Sequence, residues 1–265
     1  MLAGGFSLFF IVLGLTGLLV MQSRGQELRQ AQAHLRSMDL LLAEQTAGTL
    51  KSVDLVLDRL ADEIRGRGIA SAEALRQDMA GQARHLELAG KIAGVPQLDA
   101  LSVVDAEGRL INFSRYFPVP PLELMDRDYF QALSTATPPG GSFIGQPIRS
   151  RGNATEMIYL AHRLSAPDGH FLGLLLGAIS TDYFRALYDG VRESSDLAIS
   201  LWRSDGTLLV RAPPPTPPAT ASSGTSEPPR LPPSLLARIR RGMPTLFHLR
   251  PGTGDALLVA SMIPA

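Results

Sequence analysis

With 265 residues the chain has room for two ordinary domains or one elongated bipartite one, and 45 % apolar residues supply real cores and exclude wholesale disorder. Its 25 Lys and Arg balance 25 Asp and Glu with no basic cluster, so the electrostatic footprint of a nucleic-acid binder is missing. Cysteine is absent, which excludes disulfides, thiolate metal sites and Cys nucleophiles.

Met1 to Met21 carry no charge, and the apolar heart Phe6–Val20 is just long enough to predict a transmembrane helix over residues 1–22. A cleaved signal peptide is the alternative, but Ala31-Gln-Ala33 lies too far beyond the apolar run to be its cleavage site. Arg24, Arg29 and Arg36 follow the span, whereas the positive-inside rule would place such residues in the cytoplasm. The expected outward orientation therefore rests on the character of the downstream domain.

Residues 25–94 read as a long helix followed by a second one. Leu28, Ala31, Leu35, Met38 and Leu42 form a stripe at alternating three and four spacings. Leu50, Val53, Leu57, Leu60 and Ile64 repeat it after a four-residue slip at Thr46. The first stripe is expected to pair two protomers near the membrane, and the second to cover a domain core. Gly66 and Gly68 stop this helix, and Ser71 is placed to cap another running to about Leu88.

Residues 95–190 change to short strands and form a first α/β module. Leu101–Val104, the turn Asp105-Ala-Glu-Gly108 and Arg109–Phe113 predict a hairpin. A short helix over Asp126–Leu133 follows, with Asp126 as its expected N-cap. Three strands come next, Ser142–Gly145, Met157–Leu164 and Phe171–Ser180, and Thr181 starts a helix to about Tyr188.

Residues 191–265 repeat this order. Ile199–Val210 matches Leu101–Asn112 in residue class nearly position for position, each reading strand, acidic turn ending in Gly, strand. The Pro-rich stretch 212–233, with nine prolines, reads as an exposed loop. Ser234–Arg241 then takes the helix slot, and Thr245–Arg250 and Asp255–Met262 read as strands. No counterpart of Phe171–Ser180 follows, so this second module is expected to be incomplete as given, ahead of an exit helix and an output domain.

An anchor, a long membrane-proximal helix and two hairpin-plus-helix modules together resemble the double Cache (PDC-type) sensor domains of bacterial transmembrane receptors. The specific residues are Asp126-Arg-Asp-Tyr-Phe130, the strand Phe171–Ser180 and then Asp182-Tyr-Phe184. The variant with the Asp-Arg-Asp-Tyr-Phe motif is most similar to the sensors of diguanylate cyclases and histidine kinases. The resemblance implies an α+β fold: an N-terminal transmembrane helix, a long signalling helix and two tandem PAS-like modules with antiparallel sheets. It also implies a ligand site in the membrane-distal module 95–190, with Arg127 meeting a carboxylate, Tyr129 supplying an aromatic wall and Asp182 meeting an amine. Phe130 stands where amino-acid-binding members carry Tyr, and Asp128 adds an acid beside the Arg, which leaves other small organic acids and amines open.

The residue chemistry admits both functional and structural readings. Guanidinium grips a planar carboxylate with two parallel hydrogen bonds, but Arg127 at a helix end can also pair with Asp126 or Asp128. Tyr129 and Phe130 suit a core as well as a pocket, and Asp182 can cap the helix after Ser180. Tyr116 and Tyr159 can line a pocket with an apolar body and a polar tip. The five histidines are scattered without metal-ligand spacing, and no catalytic motif or cofactor fingerprint occurs, so neither an enzyme, a cofactor nor a metal is expected. The reading is the ligand-sensing region of a bacterial inner-membrane receptor, periplasmic, homodimeric through the helix near the membrane, with a small organic molecule as partner and no nucleic acid. The alternative is an anchored periplasmic binding or scaffold module without cytoplasmic output.

Overall fold

The computed structural model describes residues 41–135, 142–149, 155–191, 197–212, 230–231, 233–234, 246–249 and 256–261. The expected transmembrane helix, the stripe from Leu28 to Met38 and the helix slot after Ser234 lie outside the described residues. Among those described, no helix is long and apolar enough to cross a membrane.

Residues 41–66 are helical and form α1. Leu50, Val53, Leu57, Leu60 and Ile64 are all buried, as their spacing predicts. They join one core with Leu101 and Val103 of the first hairpin, Phe184 and Tyr188 of a later helix, and Leu201 and Leu209 of the second hairpin. This helix thus packs against both repeats. A polar tie adds direction: the Nε2 of His162 lies 2.7 Å from the Asp54 carboxylate on α1.

The helix expected from Ser71 to Leu88 is two helices. Ser71 caps α2 (Ala72–Met79), its hydroxyl accepting from the Ala74 N–H at 3.2 Å. The chain then breaks at Ala80–Gly81, and α3 runs over Gln82–Ile92. The break is stabilised from a distance. Asn112 is buried and donates its amide to the Met79 carbonyl at the end of α2 and to the Gly81 carbonyl, which also accepts from the Arg84 and His85 N–H groups of α3.

The first sheet holds β1 (Leu98–Asp105), β2 (Leu110–Phe113), β3 (Ser142–Ile144), β4 (Ile148–Arg149), β5 (Glu156–Ser165) and β6 (Phe171–Ser180). Its order is β2-β1-β6-β5-β3 with β4 also on β5, and every pairing is antiparallel. Central β6 is covered on both faces, which is why it reads as a continuous Leu-rich run rather than an alternating one. Leu172, Leu175 and Ile179 join the α1 core, while Leu174 and Leu176 pack under the short helix α4 (Asp128–Ser134). Beyond β6, Ser180 caps α5 (Thr181–Asp189).

The internal repeat is geometrical as well as compositional. β7 (Leu197–Trp202) and β8 (Leu208–Ala212) form an antiparallel hairpin bulged between Leu201 and Trp202, and β1 and β2 are bulged at the corresponding Val103 and Val104. Asp105 N–H donates to the Arg109 carbonyl at 2.9 Å, and Arg203 N–H to that of Thr207 at 2.8 Å. Each turn ends in a glycine at positive φ, Gly108 at 79° and Gly206 at 89°, a conformation other L-residues rarely adopt. The correspondence even extends past the hairpins: Arg109 bridges Glu123, and Thr207 bridges Arg230.

Two expectations are corrected here. Ala212 is a buried strand residue, and Arg230 and Leu231 pair back onto the second turn, so the ends of the stretch 212–233 are structured; residues 213–229 lie outside the described ones. The second sheet is also mixed rather than antiparallel. With β9 (Leu246–Leu249) and β10 (Ala256–Ser261) its order is β8-β7-β10-β9, and β10 runs parallel to β7. In the first sheet the position beside the hairpin's leading strand belongs to antiparallel β6.

Candidate functional site

A cleft of about 90 Å³ opens between the first sheet and the segment that leads into α4. Its floor is apolar: Leu110, Met157, Leu176 and Ala178 from the strands, with Leu122 and Leu124 from the loop. By that measure there is room for a small molecule, not for a peptide segment.

The start of α4 supplies its chemistry. Arg127, extended at φ −82°, occupies the N-cap position without a side-chain cap bond. The expected cap Asp126 is displaced because the helix begins later; its carboxylate stands 3.6 Å from the Arg127 Nε and is largely exposed. Asp128 serves the backbone instead, accepting from the N–H groups of Tyr129 and Gln146, each at 2.9 Å. The guanidinium of Arg127 is mostly shielded, and its Nε is buried with no hydrogen-bond partner. A buried unsatisfied donor is costly, so an incoming anionic oxygen on that edge would be favoured.

Tyr129 is buried, and its ring lies 5.7 Å from that of Tyr159 on β5. Burial pushes both phenols above their usual range, with Tyr159 adding to the effect on Tyr129 and Arg127 opposing it in each case. Both therefore stay protonated at neutral pH and can donate as well as accept. Gly145 makes this packing possible: a Cβ there would stand 2.8 Å from the Tyr129 ring. Phe130 turns away from the cleft and meets Phe171 edge-on at 5.8 Å, so it is core. At the other end of α4, Arg163 donates to the carbonyls of Leu133 and Ser134 and holds the helix C-terminus down.

The structure brings Arg127, Tyr129, Tyr159 and Tyr116 together on this cleft, with Tyr116 half exposed at its mouth. Asp182 is not among them. It lies beyond the end of β6 in the first turn of α5, is largely exposed, and accepts from Arg185 at 2.8 Å. Nor does it cap α5, because the Ser180 hydroxyl accepts from the Asp182 N–H at 3.2 Å. Instead the cleft holds Asp99, Arg115 and Arg149, which sequence reasoning missed. Asp99 precedes the expected start of the first strand but lies inside β1, and Arg149 sits on a two-residue strand with no periodicity to reveal it.

A second cavity, of about 150 Å³, separates β3 from the second hairpin and is walled by Leu50, Phe143, Leu201, Trp202 and Leu209. Its one guanidinium, Arg203, is already engaged through both terminal nitrogens. The first cleft is therefore the better candidate. Among the described residues no group of three acidic or His side chains is placed to hold a metal.

No family model matches the chain, and no curated protein matches it. Solved structures do. The extracellular domain of a histidine kinase, rpHK1S-Z16, is 28 % identical over 70 % of this chain and 72 % of its own length, with a TM-score of 0.60. An extracellular ligand-binding receptor of Desulfohalobium retbaense is 16 % identical with a TM-score of 0.50, over 64 % of this chain and 29 % of its own. The ligand-binding domain of the Pseudomonas fluorescens chemoreceptor CtaA, solved with L-serine, is 17 % identical with a TM-score of 0.47, over 67 % of this chain and 70 % of its own. The chain shares its fold with extracellular sensor domains, in keeping with the resemblance to double Cache domains.

Proposed function

We propose that this chain is the extracytoplasmic sensing region of a bacterial membrane receptor and binds a small organic ligand in the cleft beside α4. The observation that carries the reading is Arg127, an incompletely satisfied cation, standing beside the buried Tyr129–Tyr159 pair in a cleft of an extracellular-sensor fold. Arg127 holds an anionic group, the two tyrosines wall the apolar part, and Tyr116 closes the mouth. Residues 1–22 anchor the chain in the inner membrane, the sensor faces the periplasm, and the long helix pairs two protomers and passes the signal toward the membrane. Support for signalling comes from α1, whose core is shared by both repeats, so that a shift in one is felt by the other. A ligand moves such an equilibrium only by its differential affinity for the two arrangements.

A thermal-shift screen of the full-length chain in detergent, against amino acids, organic acids and amines, tests this. A ligand of the cleft raises the melting temperature by mass action in the wild type and not in Arg127→Ala. A panel with no stabilising compound, or only ones indifferent to Arg127, would sink the proposal.

A further inference from the structure

The charges lining the cleft do not suit a zwitterion. Three guanidinium groups, Arg115, Arg127 and Arg149, face it with a single carboxylate, Asp99. The charge of that carboxylate is balanced by Arg115, which donates to its Oδ1 at 2.5 Å and to the Asp99 main-chain oxygen at 3.3 Å. Two further guanidinium groups face the cleft: Arg127 on the inner wall, paired at 3.6 Å with the largely exposed Asp126, and Arg149 at the exposed edge, where β4 pairs with Glu156 and Met157 of β5. Arg149 makes no ion pair with a described residue.

An α-amino acid also needs an acceptor for its ammonium group. Asp182 is outside the cleft, Asp99 is held by Arg115, and Asp128 is committed to the Gln146 N–H and to Arg203. The tyrosine faces would offer a cation–π contact, but beside Arg127 a second cation is repelled. Between Arg127 and Arg149 the surface is apolar, from Ile148, Met157 and Leu176, and suits methylene groups.

We infer that the cleft takes a small dicarboxylate, with one carboxylate on Arg127, the other on Arg149 and the carbon spacer over the tyrosine pair. This rests on the cleft being the ligand site and adds the class of ligand. Arg149 then sets specificity, because it meets a group that monocarboxylates lack.

Calorimetric titration of the full-length chain with glutarate and succinate, with valerate and butyrate, and with L-glutamate and L-aspartate, separates the contributions. The first comparison removes one carboxylate, and the second adds an ammonium. At least one dicarboxylate should bind about tenfold tighter than its monocarboxylate and its amino-acid counterpart. In Arg149→Ala the ratio of dicarboxylate to monocarboxylate affinity should fall to within about threefold of one. Equal or tighter Arg127-dependent binding of the monocarboxylates or amino acids overturns the dicarboxylate inference and leaves the cleft a ligand site. If none of the three classes binds, the dicarboxylate inference falls, and the cleft as a ligand site stands or falls with the wider thermal-shift screen.

Discussion

Arg203, in the turn of the second hairpin, donates to the Asp128 carboxylate on α4 at 2.9 Å. The same nitrogen reaches the Ile144 carbonyl at 2.7 Å, and the guanidinium covers the Phe143 ring at 4.9 Å. Asp128 lies between Arg127 and Tyr129, so this contact ties the second repeat to the segment that presents the cleft. Its other terminal nitrogen holds Asp205 at 2.7 Å, and that hydrogen bond, outweighing burial, keeps the Asp205 carboxyl well below its usual range. A displacement of α4 by a ligand therefore has a short, charged route to the second hairpin.

If that contact couples the repeats, Arg203 and Asp128 are energetically coupled as well. Arg203→Ala and Asp128→Ala should each destabilise the chain, and a double-mutant cycle in denaturant should give a coupling of about 1–2 kcal/mol, as for a partly shielded charge-assisted pair. A cycle that closes to within about 0.3 kcal/mol would show that the two residues act independently.

Gly145 offers a steric test of the cleft. In Gly145→Ala the added Cβ meets the Tyr129 ring, which is packed against Tyr159 and has little freedom to retreat. A loss of about 1–3 kcal/mol is expected, the usual cost of overpacking, together with weaker binding of any cleft ligand. Unchanged melting and binding would mean that Tyr129 has an alternative position.

These relationships differ in how far the sequence discloses them. The α1 stripe is legible because five apolar side chains at helical spacing leave no other face to bury, and the repeated hairpins are legible because glycines mark both turns. The break at Ala80–Gly81 is not, since Ala is a strong helix former and the Met79 carbonyl at the break is satisfied by Asn112, 33 residues away. The cleft is half legible. A helix carrying Arg and Tyr announces itself, but which carboxylate joins it depends on where β6 ends and α5 turns away. That choice excludes Asp182 and admits Asp99. The reach of Arg203 to Asp128 spans 75 residues and leaves no local pattern.

Asp105 predicts a pH dependence of stability. Its carboxyl is buried, and burial followed by the Glu107 charge pushes it up to about 6, against the pull of Arg76 at 3.7 Å and of Arg109, whose Nε donates to it at 2.9 Å. The folded state thus holds this proton more tightly than the unfolded chain, whose carboxyl titrates near its ordinary value of 3.8. The stabilisation is fully present below that value and is lost as pH rises through about 6. Asp105→Asn keeps a neutral acceptor for the Glu107 and Arg109 N–H groups and should remove that slope. Denaturant unfolding from pH 4 to 7 should show the wild type losing ground to the variant. Parallel profiles would mean that Asp105 does not titrate in this range.

The assignment of Arg127, and the exclusion of Asp182, can be tested together. Arg127 lines the cleft with an unsatisfied Nε, whereas Asp182 is exposed and bound to Arg185, a residue that also holds Glu156. Losing a shielded charge-assisted contact costs about 2–5 kcal/mol, so Arg127→Ala should weaken binding of a carboxylate by on the order of thirtyfold or more. Arg127→Lys should recover only part of it, because an ammonium cannot offer two parallel N–H groups to a planar carboxylate. Asp182→Ala removes one exposed ion pair, which is worth at most about 1 kcal/mol to stability, and should leave the affinity within about twofold of wild type. Calorimetry on the three variants, each checked for a wild-type melting profile, decides the matter. A loss in Asp182→Ala as large as that in Arg127→Ala would place the ligand near the β6–α5 junction. Wild-type affinity in a folded Arg127→Ala would return Arg127 to a helix-terminus role.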